Sequence, residues 1–274
     1  MTSRFDCSDP AASAAGLGEA AAAVRRGELV VLPTDTVYGV GADAFDPKAV
    51  ASLLAAKGRG RHKPSPVLVD SAAALGELTD ELPDAARALI DAFWPGGLTL
   101  VVRHRASLDW DLGETGGTVA VRMPDHPLTL ELLAATGPLA VSSANLTDHP
   151  SPQDCDAAQA MLGGSVAVYL DGGRTPGAVS SSIVDLSGET PVLVRDGVLP
   201  VAELRALVPD LIVPCRARVS YRPRPRTREN RVARGRGRWL ASVASTCSSA
   251  AERRARDPEG AGAAPATSAH EHAR

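Results

Sequence analysis

The chain has 274 residues, of which 44% are apolar and only 3% aromatic, and its formal net charge is −3. This length allows one large domain or two small ones with a core of Ala, Val and Leu, and no segment predicts a membrane span or a secretory signal. The four cysteines stand far apart without a CxxC pair, so neither a disulfide framework nor a zinc site is expected, and the sequence predicts a soluble cytoplasmic protein with reduced thiols.

Helices and strands alternate along the first 214 residues. Residues 10–26 are Ala-rich and are followed by Gly27, which predicts a helix with a C-terminal glycine cap. Further helices are predicted at 47–57, 83–93, 127–135, 154–162 and 201–208. Strands are predicted at 28–33, 67–69, 98–103, 118–122, 139–141, 166–170, 182–186 and 192–195, with a turn at 94–97. This order, with long and short connections, predicts an α/β domain with a mixed sheet.

The C-terminal segment 215–274 has a different composition from the rest. It carries 14 Arg and no Lys against 5 acidic residues, so the first 214 residues hold 15 basic and 27 acidic residues. Because it lacks apolar periodicity, it cannot bury enough surface to offset its ordering entropy, and we predict a disordered tail after a folded domain at 1–214. Such a tail is able to hold RNA through phosphate contacts. The simpler interpretation, which we prefer, is an extension without a binding role.

The first polar cluster is the segment PTDTVYG at residues 33–39, directly after the strand predicted at 28–33. It crowds hydroxyls, a carboxylate and a phenol into one loop, and glycines at 39 and 41 allow close backbone approach. A capped turn explains the same residues, since Thr and Asp favour turns. This motif alone is weak evidence of a site.

The second polar cluster is KGRGRHK at residues 57–63, at the end of a predicted helix. Cations suit a helix C-terminus, which accounts for one or two of the five basic or potentially basic side chains. Five of them, interleaved with glycines in an acidic domain, indicate a polyphosphate clamp. Arg grips phosphate oxygens in pairs, whereas Lys acts as a point charge.

Four more polar clusters lie where predicted strands begin or end. They are residues 118–122 with Pro124 and His126, residues 142–145 with Ser151, residues 171–173 with 180–182, and residues 195–197. Each also has an explanation as a turn or a sheet edge. The chain has no P-loop, no GxGxxG after a strand and no HExxH. Its hydroxyls and cations suit chemistry dominated by neutralisation of negative charge, such as nucleotidyl transfer.

Taken in order, these segments resemble the YrdC-like family, the L-threonylcarbamoyladenylate synthases. The matching stretches are LPTDTVYGVGADA, AAKGRGRHKPSPVLV, FWPGGLTLVV, GTVAVRMPDHP, SSANLTDHPSP, SSSIVDL and VLVRDG, roughly residues 27–197. The resemblance implies a twisted mixed sheet with flanking helices around a basic concave cleft. It also implies that L-threonine, bicarbonate and ATP give threonylcarbamoyl-AMP and pyrophosphate. A separate tRNA threonylcarbamoyltransferase would use the product to form N6-threonylcarbamoyladenosine.

The resemblance assigns roles to residues of the matching motifs. The ATP phosphates are expected on Lys57 and Arg59 or Arg61, with Lys57 and Arg59 as the catalytic pair and Mg²⁺ accompanying ATP. The nucleotide is expected to be lined by Thr118, Ser143, Ser151 and Arg195. L-threonine is expected on Thr34, Arg122 and Ser181, with Arg122 pairing its carboxylate and Asn145 and Tyr38 as further lining. The family often has Pro directly after its Lys-x-Arg, where this chain has Gly60 and a second Arg, so Arg59 and Arg61 are not distinguished by sequence.

Two other functions fit parts of the pattern. A non-catalytic RNA-binding module on the same fold would also use a basic cleft, and the tail would add to it. A carbamoyl-transfer domain of the kind used in hydrogenase maturation is disfavoured. Such domains sit in longer chains with acylphosphatase-like and zinc-binding parts, and this chain has neither that length nor the Cys pairs.

Overall fold

The computed structural model describes residues 2–214, which form one ten-stranded sheet flanked by helices. The helices are α1 (Pro10–Arg25), α2 (Pro47–Ala56), α3 (Ala72–Leu78), α4 (Asp84–Phe93), α5 (Pro127–Thr136), α6 (Cys155–Leu162) and α7 (Val201–Leu207). The strands are β1 (Ser3–Asp6), β2 (Val30–Leu32), β3 (Gly39–Asp43), β4 (Val67–Leu68), β5 (Leu98–Arg103), β6 (Thr118–Arg122), β7 (Leu139–Ser143), β8 (Val168–Asp171), β9 (Ser182–Asp185) and β10 (Val192–Arg195). The predicted tail at 215–274 lies outside the described residues.

The strands lie in the order β1-β8-β2-β3-β7-β4-β6-β5-β9-β10. The pairs β1–β8, β8–β2, β4–β6 and β5–β9 are parallel, and the other five are antiparallel. The predicted mixed sheet with flanking helices is confirmed. The register pairs Gly39 with Ser143 and Leu98 with Ser182, which brings together loops that are far apart in sequence.

Side chains of β2 alternate between two buried layers, which shows how helices cover both faces of the sheet. Val30 and Leu32 pack with α1 and α5, whereas Val31 packs with α2 and α6. This alternation follows from the two-residue period of a strand. A third cluster joins β4, β5, β6, β9 and β10 to α3, α4 and α7. None of the helices within residues 2–214 combines the length and apolar character that a bilayer crossing needs.

Four of the seven helices within residues 2–214 begin with a side-chain cap. Asp9 caps α1 by accepting from the backbone N–H of Ala12 at 2.7 Å, and Asp46 caps α2 by accepting from Lys48 at 2.8 Å. Gly27 follows α1 with a φ of 75°, the left-handed conformation expected of a residue after a helix end. The predicted helices therefore all occur, with ends shifted by one or two residues.

Three elements were absent from the prediction: β1, α3 and β3. The sequence predicted a loop at 33–39 and no element at 40–43, but Gly39–Asp43 is a strand inside the sheet. A Cβ on Gly39 would lie 2.7 Å from Val141 Cγ1, so the glycine lets β3 sit against β7. The prediction also ended β7 at residue 141, whereas Ser142 and Ser143 still belong to the strand.

Candidate active site

Lys57 follows α2 directly, and its side chain turns inward to the end of β7. It is only 2% exposed, and its ammonium donates to the carbonyl of Ser143 and, at 2.5 Å, to that of Asn145. The backbone N–H of Thr147 donates to the carbonyl of Lys57 at 2.9 Å. The basic segment is thereby fixed to the loop after β7, as a shared site requires.

The charge of Lys57 is poorly compensated in this position. Burial, followed by the nearby charge of Arg59, lowers the pKa of Lys57 to about 8. No carboxylate within residues 2–214 forms an ion pair with it. A bound anion would restore the stability of the charged form.

Arg59 and Arg61, which the sequence left equivalent, occupy different environments. The guanidinium of Arg59 is half-buried and donates to the hydroxyl of Ser142 at 3.0 Å and to the carbonyl of Lys63 at 2.6 Å. Arg61 is exposed and pairs with the carboxylate of Asp111 at 2.7 Å. The structure therefore places Arg59 beside β7 and Lys57, and Arg61 in a surface ion pair.

Arg122 ends β6 and reaches the loop after β2. Its Nε donates to the carbonyl of Gly96 at 2.9 Å, its Nη1 to the hydroxyl of Thr36 at 2.9 Å and its Nη2 to Asp35 at 2.5 Å. The hydroxyls of Thr36 and Thr34 lie 3.0 Å apart. Arg122 is 7% exposed, so it is a buried cation with a fixed orientation.

Arg195 ends β10 and binds the segment that opens β9. Its Nε and Nη2 donate to the carbonyl and the hydroxyl of Ser181, both at 2.7 Å, and that hydroxyl lies 2.8 Å from the hydroxyl of Thr99. Burial lowers the pKa of Arg195, and the charges of Arg122 and Arg59 lower it further. The three arginines thus lie close enough for their charges to interact.

Lys57, Arg59, Arg122 and Arg195 form what we call the cation cluster. Within residues 2–214, Asp35 is the sole carboxylate that forms an ion pair with any of them. The other hydrogen bonds of the cluster go to carbonyl and hydroxyl oxygens, which do not neutralise its charge. Because buried charge is costly unless it is paired, the cluster favours a ligand with several negative charges, such as a polyphosphate with a carboxylate beside it.

Buried polar atoms without partners flank the Lys57 contact. The amide nitrogen of Asn145 donates to the carbonyls of Leu146 and His149, but within residues 2–214 its Oδ1 has no hydrogen bond. The buried hydroxyl of Thr147 also has none. Such atoms are rare in folded proteins, and their hydrogen-bonding capacity suits a polar ligand at this position.

The remaining predicted residues do not contact the cluster directly. The hydroxyl of Thr118, at the start of β6, donates to the carbonyl of Thr115 at 2.8 Å, and Ser151 is half-buried before α6. The buried hydroxyl of Tyr38 donates to the carbonyl of Gly173 at 2.5 Å, and its pKa is raised chiefly by burial. Tyr38 therefore holds the loop after β8 in this structure.

Among the residues to which the sequence assigned no role, Asp35 and Thr36 bond Arg122, and Thr99 contacts the hydroxyl of Ser181. The first two lie inside the segment at 33–39 that was recognised as a cluster, where only Thr34 and Tyr38 received roles. Thr99 sits within a strand, where its hydroxyl has no local signal. In each of these contacts the two residues lie 82 to 87 positions apart in the sequence, so only the folded sheet brings them together.

Two cavities lie away from the cluster. One, of about 280 Å³, is lined by Thr2, Gly27, Glu28, Leu29, Ser52, Gly164, Ser165, Val166 and Ala167. The other, of about 360 Å³, is lined by Asp84, Ala85, Ala88, Pro191, Leu207, Val208, Pro209 and Asp210. Neither contains a predicted site residue, so charge and hydrogen bonding define the candidate site.

We expect Gly197→Ala to destabilise the Arg195 side of the site. A Cβ at Gly197 would lie within 3.0 Å of backbone atoms of Ser181 and Ser182, so β10 must shift from Ser181. The expected loss is about 1–3 kcal/mol of unfolding free energy, measured by urea denaturation. Gly188→Ala is the control, because a Cβ there meets nothing within 4 Å. Equal stabilities of the two variants would contradict this packing.

A family model, a curated relative and two solved structures that resemble this chain all belong to the same family. A model named for Sua5, YciO and YrdC and described as "Telomere recombination" matches residues 22–197. A protein of Mycobacterium tuberculosis (strain H37Rv), provisionally named as a threonylcarbamoyl-AMP synthase, is 55% identical over 197 residues, which cover 72% of this chain and 91% of that protein.

Two solved archaeal structures also resemble the chain. Sua5 of Pyrococcus abyssi in complex with L-threonine is 37% identical with a TM-score of 0.69, over 72% of this chain and 58% of that one. A variant of the same archaeal protein with two alanine substitutions is 35% identical with a TM-score of 0.74, over 78% of this chain and 62% of that one. The chain thus spans less than two thirds of the solved Sua5 chains.

Proposed function

The chain belongs to the Sua5/YciO/YrdC family, and we propose that it is a threonylcarbamoyl-AMP synthase acting on ATP, L-threonine and bicarbonate. Relatives carry that enzyme name, and the Pyrococcus abyssi neighbour was solved with L-threonine. The proposed reaction class is nucleotidyl transfer. The observation that carries the proposal is the cation cluster, whose positive charge exceeds the single carboxylate paired with it among residues 2–214.

The two sides of the cluster suit the two anionic substrates. Lys57 and Arg59 come from the glycine-rich basic segment, and we assign the ATP phosphates to them, with Arg195 and the hydroxyls of Thr118, Ser143 and Ser151 on the nucleotide side. Arg59 is preferred over Arg61 because Arg61 is engaged by Asp111 at the surface. Arg122, Thr34 and Ser181 are assigned to L-threonine. These roles rest on motif and placement together.

The chemistry requires two anions to meet. The amine of L-threonine and bicarbonate form a carbamate with loss of water. A carbamate oxygen then attacks the α-phosphorus of ATP, and pyrophosphate leaves as the P–O bond to the β-phosphate breaks. Fixed cations on both sides lower the repulsion in the transition state, and the protein supplies them without reorganisation.

Mg²⁺ is proposed to arrive with ATP as part of the substrate. No group of three or more acidic, His or Cys side chains suited to a metal ion occurs within residues 2–214. Asp35, the carboxylate at the cluster, could supply at most one further oxygen, because its Oδ1 already binds Arg122. Phosphate oxygens and water would therefore supply most ligands of the ion.

The product is proposed to serve a separate tRNA threonylcarbamoyltransferase in the cytoplasm, where ATP and tRNA are available. The competing function is an RNA-binding module without activity. Pyrophosphate release from the full chain separates the two. We expect release that requires ATP, L-threonine and bicarbonate together, whereas a binding module would give none with any combination.

We expect ATP binding to weaken as the pH rises through about 8. Burial and Arg59 lower the pKa of Lys57 to about 8, so the free protein loses this positive charge above that pH. The dissociation constant for ATP, measured by calorimetry at constant ionic strength, should rise from pH 7.5 to about 9.5. Lys57→Arg keeps its charge throughout this range. An equal rise in that variant would exclude Lys57 as the titrating group.

A further inference from the structure

Asp35 occupies a position that the assigned roles leave unexplained. Its Oδ1 accepts from Arg122 Nη2 at 2.5 Å and from the backbone N–H of Asp125 at 3.1 Å. Its Oδ2 has no hydrogen bond within residues 2–214. The side chain is 18% exposed, compared with 8% for Arg122, so the ion pair is partly exposed at its Asp35 end.

The hydrogen bonds of Arg122 also leave capacity for a ligand. A guanidinium has five N–H donors, and three of them are used on Gly96, Thr36 and Asp35. Two donors remain, which is the number that one carboxylate accepts in a bidentate pair. Within residues 2–214, the pair thus keeps two guanidinium donors and one carboxylate oxygen that form no hydrogen bond.

This set of groups complements a zwitterion. The carboxylate and ammonium of an α-amino acid are separated by one carbon, and Arg122 and Asp35 present the opposite charges in direct contact. We propose that Asp35 binds the substrate ammonium through Oδ2 while Arg122 binds the substrate carboxylate. Asp35 thereby selects amino acids over hydroxy acids that lack an amine. This inference rests on the proposed function, because it places L-threonine at Arg122.

Neighbouring groups favour an ammonium over another occupant. Arg59 and Arg195 interact through charge with the cluster but form no ion pair with Asp35. Burial lowers the pKa of His126, although the charges of Asp35 and Asp125 raise it, and within residues 2–214 His126 forms no ion pair with Asp35. An ammonium satisfies Oδ2 of Asp35 with a charge-assisted hydrogen bond.

The alternative is that Asp35 only positions Arg122. Two ligands separate the possibilities: L-threonine, and 3-hydroxybutanoate, which keeps the carboxylate and hydroxyl but has no amine. If Asp35 binds the ammonium, Asp35→Asn weakens L-threonine binding alone. If Asp35 only positions Arg122, the variant weakens both ligands by the same factor.

Isothermal titration of the full chain with both ligands tests the inference. We expect Asp35→Asn to weaken L-threonine binding about 10- to 100-fold, the usual cost of losing a hydrogen bond between charged groups, and 3-hydroxybutanoate by less than about threefold. Asp80→Asn is the matched control, since Asp80 forms an exposed ion pair with Arg105 at 2.7 Å. It should change neither affinity.

The wild-type protein provides a test that needs no folded variant. It should bind L-threonine at least about tenfold more tightly than 3-hydroxybutanoate. Equal affinities would overturn the role of Asp35 and leave the proposed function standing. Failure to bind L-threonine at all, with or without ATP, would instead overturn the proposed function and this inference with it.

Discussion

Replacing Lys57 with Met is expected to lower kcat/KM for ATP by about 100-fold or more. Removal of one fixed hydrogen-bond donor to a developing anion costs about this much in other enzymes, and Lys57 would be such a donor with a full charge. Lys57 donates to the carbonyls of Ser143 and Asn145, so its ammonium is held at the end of β7, where the nucleotide is proposed to bind. Pyrophosphate release at varied ATP concentration measures the effect.

Met is chosen over Ala because Lys57 is almost fully buried and its aliphatic stem packs in the fold. Truncation to Ala would add a cavity to the loss of charge. Lys48→Met, in the helix that Lys57 follows, is the control, because Lys48 is exposed. Wild-type turnover in Lys57→Met, with an unchanged melting curve, would remove Lys57 from the mechanism.

Arg122→Lys should raise the KM for L-threonine about 10- to 100-fold. The substitution keeps the positive charge but loses the planar fork that bonds Gly96, Thr36 and Asp35 and leaves two donors for a ligand. We expect a smaller effect on the KM for ATP, because the phosphates are assigned to the other side of the cluster. Initial rates at saturating ATP and bicarbonate measure the change.

Arg105→Lys is the matched control for Arg122→Lys. Arg105 also pairs with an aspartate, Asp80 at 2.7 Å, but this pair is exposed and surface pairs contribute little. The kinetic constants of the Arg105→Lys variant should equal those of the wild type. An unchanged KM for L-threonine in Arg122→Lys would place the amino acid elsewhere.

The sequence predicted most of the fold because many elements carry strong local signals. The Ala-rich run of α1, capped by Asp9 and followed by Gly27, is an example. β3 was missed because glycine normally disfavours strands, whereas here Gly39 is needed for contact with Val141. Position 39 must lack a side chain only because β7 lies beside β3 in the folded sheet, and the local sequence does not show that pairing.

The site was predictable in its cations and hydroxyls but not in how they pair. Motifs singled out Lys57, Arg122 and Arg195, and the structure connects each to a segment far away in sequence. Arg59 and Arg61 carry the same local signal, and only the position of Asp111 separates them. Asp35 lacked a local signal because an acidic residue in a turn is commonplace, and its partner lies 87 residues away.

The most direct test of the account is the identity of the product. The full chain, supplied with ATP, L-threonine and ¹³C-bicarbonate, should form a compound that mass spectrometry identifies as threonylcarbamoyl-AMP with one ¹³C in its carbamoyl group. The same compound should fall to background with Lys57→Met. A wild-type reaction mixture that lacks any species combining threonine, labelled carbon and AMP would contradict the account.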